Sequence, residues 1–325
     1  MPDYRKQHWL PAAYLKFFAV DRTERSRKSL IYRLDSSTCR KVSVDSQCFQ
    51  KYFYSKENPK EAEKSFHHME WDYPRIVRLL ERSKNSLSVN PKEYFGLIYI
   101  IVDFHLRNNS YINNRGTENI EAFAFRRQNF WHREIMLWLQ TRQTYIPSPY
   151  PLVPELPRPI LPSVPLSSEA ATKDFSRNLF SFTRDVWRFQ SLECEQDFFV
   201  TSDNPSIWFE NDGLTTAFLM PLTPEILGIA YDQRRIKMLS SKATLRDVEL
   251  VNSFQIIQCN RSIYSAFLLE KRDLKVLPKL FAKNRNSQQK RGFVNDKQRG
   301  LETIPVYFQN KKGDYETFSF WELIS

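Results

Sequence analysis

Gln7 and His8 stand directly before Trp9-Leu10-Pro11, and the apolar residues Leu10, Tyr14, Leu15 and Phe18 that follow recur at helical spacing. A core-facing helix holds the imidazole at a fixed helix start, where it suits a general base or a metal ligand. Asp103 and Arg107 lie four residues apart in a segment, 91 to 109, that is apolar on nearly every face. Charges there must pair with each other or turn toward a cavity, where Arg107 could grip an anion. Thr201-Ser202-Asp203-Asn204-Pro205 follows the apolar run Phe198 to Val200 and gathers small polar side chains at a strand end. Loops in that position commonly carry function. Glu70 adds a second carboxylate. If these residues converge, His8 supplies a base and Asp203 and Glu70 could ligate Mg²⁺ or Mn²⁺. Arg107 would clamp an anion, and Gln7, Ser202 and Asn204 would bind substrate. That set suffices to hydrolyse a phosphodiester.

The same residues have structural roles open to them. His8 could bond backbone carbonyls at a junction, Asp103 and Arg107 could form a buried pair, and Asp or Asn before Pro makes hydrogen-bonded turns without catalysis. His67 and His68 are adjacent on a helix and diverge by about 100°, so they do not chelate one metal. There is no phosphate-cradling Gly-rich loop, no Gly-x-Ser-x-Gly elbow and no His-Glu-x-x-His. Their absence argues against nucleoside triphosphatases, common esterases and zinc proteases.

The elements that must position these groups point to an α+β chain. Pro11 opens a short helix, and Ser29 to Leu34 with Lys41 to Val44 form a hairpin around Asp35 to Thr38. Helices begin at Asn58-Pro59, at Asn90-Pro91 and near Thr117, the last running to about 140, and Pro74 should kink or split the first. Eight prolines between Pro147 and Pro165 demand an extended strap. The strap, 146 to 166, divides a basic helical region, 1 to 145, from a helix and antiparallel sheet, 167 to 325. Its apolar residues should pack it down, so that the halves form one unit. Beyond it we expect a long helix from Ser167 to Cys194, antiparallel strands at Thr216 to Met220 and Ile226 to Tyr231, and a helix near 243 to 259. A last helix and an edge hairpin finish the chain. The polar, basic stretch 284 to 300 suits a mobile loop.

The 325 residues include 25 Phe and 15 Tyr but only 7 Gly, the make-up of a packed globule. No apolar run reaches the about 18 residues of a membrane span and no signal-peptide core opens the chain, which predicts a cytoplasmic protein with no membrane partner. Cys39, Cys48, Cys194 and Cys259 are scattered, as reduced core thiols are. The net charge of +11 is uneven: residues 1 to 145 carry +9, residues 270 to 300 carry +7, and the remainder −5. Two basic regions favour a nucleic-acid partner if they share a face, with Lys290 and Arg291 as contacts.

Several motifs recur in a recognisable order: QHWLPAAYLKFF at 7 to 18, Glu70, Arg107, TSDNP at 201 to 205, PLTP at 221 to 224, and Asn252. In these the chain resembles domain-of-unknown-function family 4238 over nearly its whole length. Trp9 and Thr223 depart from the Tyr and Ser expected there. The resemblance implies a bacterial protein and carries no activity with it. Arg127 and His132 are spaced as in HEPN-type ribonucleases, a weak motif that chance also supplies.

Two function classes therefore stand. One is a nuclease-like hydrolase acting on nucleic acid, for which a phage-defence or toxin role would fit. The other is a non-catalytic module binding nucleic acid or protein, in which the polar motifs cap turns and basic residues hold the partner.

Overall fold

A computed structural model describes residues 6–20, 29–35, 38–54, 59–60, 67–83, 91–107, 130, 186–195, 197–211, 214–268, 293–296, 301–305 and 318–323. The expected helix at 117 to 140 (apart from Phe130), the proline strap, the last helix, Lys290, Arg291 and the Arg127/His132 pair lie outside these residues.

Strand β1 (Lys6–His8) leads into helix α1 (Ala12–Leu15), which tightens into a 3₁₀ turn at Lys16–Phe18. Pro11 occupies the N-cap, and Tyr14, Leu15, Phe17 and Phe18 are buried. The expected hairpin forms from β2 (Leu30–Leu34) and β3 (Cys39–Ser43), and β4 (Phe49–Lys51) returns to pair with β1. Helices α2 (His67–Ser83) and α3 (Pro91–Arg107) follow. Of the kink or split expected at Pro74, the split does not occur: α2 runs unbroken through it. The helix loses one backbone hydrogen bond there, but Tyr73, Ile76, Val77 and Leu80 all bury on the same core and hold the turns together.

The described residues of the second half are largely sheet. Strands β5 (Trp187–Glu193), β6 (Thr201–Ser202), β7 (Ile207–Asn211), β8 (Leu214–Pro221), β9 (Ile226–Asp232) and β10 (Ile236–Met238) precede helix α4 (Leu245–Gln258). Then come β11 (Ile263–Ser265), β12 (Phe293–Asp296), β13 (Leu301–Pro305) and β14 (Trp321–Leu323). Two expectations fail here. The segment 187–193, read as the end of a long helix, is a strand paired with β9 along all seven residues. Cross-strand pairing and burial of Trp187 and Phe189 override the helix propensity of its Gln, Leu and Glu. Within the stretch expected to be a mobile loop, Phe293–Asp296 pairs antiparallel with Leu301–Pro305. Phe293 and Val294 are strand-forming residue types, and that propensity outweighs the polar composition around them.

Two four-stranded antiparallel sheets organise the chain, ordered β3-β2-β11-β6 and β5-β9-β8-β7. The second sheet is covered on both faces. Phe189, Phe218, Met220 and Ala230 join Tyr14, Tyr73, Ile98 and Phe104 in one core, while Leu192, Leu219, Leu227 and Ile229 meet Val248, Val251, Phe254 and Phe320 in another. Gly228 lets β9 pack closely, because a Cβ there would sit 3.0 Å from Leu222 and 3.1 Å from Phe189 and their side chains would have to give way. Helix α4 also serves the first sheet, where Ile256 and Cys259 pack with Leu34, Val200 and Ile263. A capping box at Thr244 and Asp247 starts that helix, and Asp247 additionally accepts from Ser319 N–H at 2.7 Å, fastening the C-terminal segment to it. Among the described residues no helix is long and apolar enough to cross a membrane.

Candidate functional site

The first motif folds into a clasp at the end of α3. Gln7 is fully buried, and its Oε1 accepts the Tyr54 N–H at 2.5 Å. Arg107 is 1% exposed; its Nη2 donates to the His8 carbonyl at 2.6 Å and its Nε to the Tyr54 hydroxyl at 3.0 Å. The guanidinium thus fixes β1 from inside, rather than presenting itself to an anion at the surface. His8 is partly exposed and hydrogen-bonds the Asp45 backbone, while its Nε2 has no hydrogen-bond partner. Burial, joined by the nearby Arg107 and Lys6 charges, lowers its pKa to about 4 against the Asp45 bond and charge. The imidazole is therefore neutral at pH 7.

The second motif makes a knot of turn bonds against α4. Both Asp203 oxygens accept main-chain N–H groups, from Asn260 at 2.8 Å and Arg261 at 2.9 Å. Burial raises its pKa to about 6, offset in part by those two bonds and the Arg261 charge. Ser202 Oγ donates to Gln255 Oε1 at 2.8 Å, and Asn204 Nδ2 donates to the Gln258 carbonyl at 3.1 Å. Asn252 pairs with the extended segment leading into β6: its Oδ1 accepts the Val200 N–H and its Nδ2 donates to the Phe198 carbonyl. In the third motif, Thr223 Oγ1 accepts from the Ile226 and Glu225 N–H groups and closes the β8–β9 turn.

The two motifs meet through residues that sequence reasoning did not single out as a site. Tyr14 donates to the Pro221 carbonyl at 2.8 Å, which leaves the Thr201 hydroxyl to donate to Tyr14 across 2.6 Å. One row across the first sheet carries Arg40, Arg33, Tyr264 and Thr201 in register. The Tyr264 hydroxyl lies 3.3 Å from the Cys48 thiol, whose backbone adopts a left-handed φ of 51°. Cys48 in turn accepts the Trp9 N–H through its carbonyl, joining the β1–β4 ribbon to this row. Burial pushes the Cys48, Tyr264 and Tyr14 pKa values well up, so all three stay protonated and the thiol is a poor nucleophile. Arg33 grips Asp35 through two bonds of 2.9 and 2.7 Å, and Asp35 accepts from Ser262 at 2.7 Å. Burial opposes ionisation of Asp35, but those bonds and the Arg33 and Arg40 charges outweigh it and lower its pKa. Only the spacing of Tyr14 within its motif hinted at any of this. The partners of Cys48 and Tyr264 lie more than 200 residues away and leave no local signal.

Gln7, His8 and Arg107 are thus brought together, as are Ser202, Asp203 and Asn204. No hydrogen bond or ion pair joins His8 to Asp203, and each carboxylate oxygen of Asp203 already has a main-chain partner. Glu70 lies on α2, but its side chain is outside the described residues. Among the described residues no group of three or more His, Cys, Asp or Glu is arranged to hold a metal ion.

The Tyr14 link can be tested by a double-mutant cycle with Tyr14→Phe and Thr201→Val. We expect Tyr14→Phe to destabilise by about 1–3 kcal/mol and the pair to couple by about 0.5–1.5 kcal/mol in urea unfolding. Additive single effects would mean that the hydroxyl contact does not bind the motifs.

The β1–β4 ribbon has one more property. Its register sets Lys6 opposite Lys51 and His8 opposite Phe49, so these four side chains share one face. Both lysines are exposed and Phe49 is partly so. The Lys6 ammonium lies 5.1 Å from the Phe49 ring centre, and the His8 ring 5.7 Å from it.

No curated protein and no solved structure matches the chain. The model of one protein family of unknown function matches residues 6–266, a span that takes in the clasp, the turn knot and the row joining them, and the chain belongs to that family, DUF4238.

Proposed function

We propose that this protein is a nucleic-acid-binding module whose contact face is the β1–β4 ribbon. The observation that carries this reading is the direct opposition of Lys6 and Lys51, both exposed, next to a partly exposed Phe49. Like charges directly opposite on a ladder destabilise it, and among the described residues no carboxylate lies within ion-pair distance of either lysine. A polyanion relieves that repulsion and gains counterion release. The net charge of +11 supports the same class of partner. The buried motif residues act on this reading as the frame that holds the ribbon. Arg107 holds it through the His8 carbonyl, and Cys48 through the Trp9 N–H.

Fluorescence anisotropy with a labelled oligonucleotide across a salt series tests the reading. Lys6→Gln and Lys51→Gln should each weaken binding and each reduce the slope of log K against log[salt] by about 1. The charge-matched control Lys237→Gln, on the separate β10–β14 pair, should change neither. Wild-type slopes in both ribbon variants would remove the ribbon from the interface.

A hydrolase remains the second reading, and one observation favours it: the neutral His8 keeps an Nε2 lone pair with no hydrogen-bond partner, a proton acceptor that burial and a lowered pKa make a weak one. Incubation of DNA and RNA with Mg²⁺ or Mn²⁺ separates the two. Cleavage that disappears in His8→Ala would favour the enzyme; binding without cleavage favours the module.

A further inference from the structure

We infer that the ribbon takes single-stranded nucleic acid, stacking one base on Phe49 while Lys6 and Lys51 hold the adjoining phosphates. This rests on the proposed binding face and names its ligand. Lys6 covers the Phe49 ring with a flexible side chain, its ammonium 5.1 Å from the ring centre. An ammonium over a ring is a contact worth little at an exposed site, so a base can displace it. The displaced lysine has a phosphate to go to, because a stacked nucleotide brings its own. The His8 ring lies 5.7 Å from the Phe49 ring and is uncharged at pH 7, so it adds ring surface beside the station without a third cation. Lys51, directly across the ladder from Lys6, flanks the same station. Interleaved cations and an aromatic ring form the platform that unpaired bases use. A duplex hides its base faces and would leave Phe49 unused.

The positions are held without help from the ligand. Gln7, on the opposite side of β1, is buried and bonded to Tyr54, and Arg107 holds the His8 carbonyl. The ring and the lysines are therefore presented by a rigid strand pair, which limits the ordering lost on binding.

The test compares four probes at fixed salt: a single-stranded oligothymidylate, a duplex of equal length, inorganic polyphosphate, and phosphatidylserine vesicles. The single strand should bind most tightly. Phe49→Ala should lower its affinity by roughly 5- to 150-fold, the loss of one stacked base, with polyphosphate binding unchanged. Phe49→Leu keeps a large apolar side chain without the π face and should lose the same affinity. Phe49→Trp should keep it, and both serve if the alanine variant fails to fold. Equal affinity of wild type and Phe49→Leu for the single strand, with binding still salt-dependent, overturns stacking and leaves the charged face standing. Tightest binding to the vesicles would replace nucleic acid by a lipid surface and overturn the inference. No binding to any probe removes this inference and the binding face together.

Discussion

Replacing Arg107 by Leu is expected to lower the unfolding free energy by about 3–5 kcal/mol, measured by urea denaturation. The guanidinium is 1% exposed and donates to the His8 carbonyl and the Tyr54 hydroxyl. Each bond from a charged donor is worth about 1.5–3 kcal/mol, and leucine leaves both acceptors buried without it. Arg107→Lys should recover only part, because one ammonium cannot reproduce the fork that meets both acceptors. A loss below about 1 kcal/mol would show that the ribbon is held by other means, with Arg107 no longer the centre of its frame.

Asp203 and His8 should tilt stability in opposite directions as pH changes. The Asp203 pKa is raised from 3.8 to about 6, so on a rising pH the unfolded chain gives up this proton first. Stability falls by about 3 kcal/mol between those values and is level above them. The His8 pKa is lowered from 6.5 to about 4, so on a falling pH the unfolded chain takes this proton first. Its contribution is fully present above pH 6.5 and is lost as pH falls toward 4, by about 3 kcal/mol. The two slopes nearly cancel in the wild type. His8→Gln should therefore become less stable as pH rises from 4 to 6, and Asp203→Asn more stable, each read from thermal melts at several pH values. Asp203→Asn also has a lower baseline, since the amide NH2 that replaces one carboxylate oxygen is a donor and cannot accept the main-chain N–H that oxygen held, so the slope is the readout. Parallel slopes in the two variants would contradict the burial of one group or the other.

The motifs around prolines and short polar turns were legible because their signals are local. Pro11 marked α1, Asp35 to Thr38 marked the β2–β3 hairpin, and Pro221 with Pro224 marked the β8–β9 turn. The strand at Trp187–Glu193 was not legible, since its conformation is set by β9, more than 30 residues on. The candidate site divides the same way. Gln7, His8, Arg107 and the TSDNP residues stood out by type and spacing. Their roles depended on partners elsewhere: Tyr54 for Gln7, the 260–261 backbone for Asp203, Thr201 for Tyr14. The ribbon face needed the β1–β4 register, in which Lys6 meets Lys51 across 45 positions of sequence.

Asn252 has a consequence for the whole molecule in solution. β6 is the terminal strand of its sheet, and the residues just before it would otherwise present bare main-chain groups to any passing chain. The Asn252 carboxamide reproduces the donor and acceptor of a neighbouring strand and satisfies both Val200 and Phe198 from the side of a helix. A helix thereby blunts, with a single amide, a sheet margin that would otherwise lie open to the edge of a second copy.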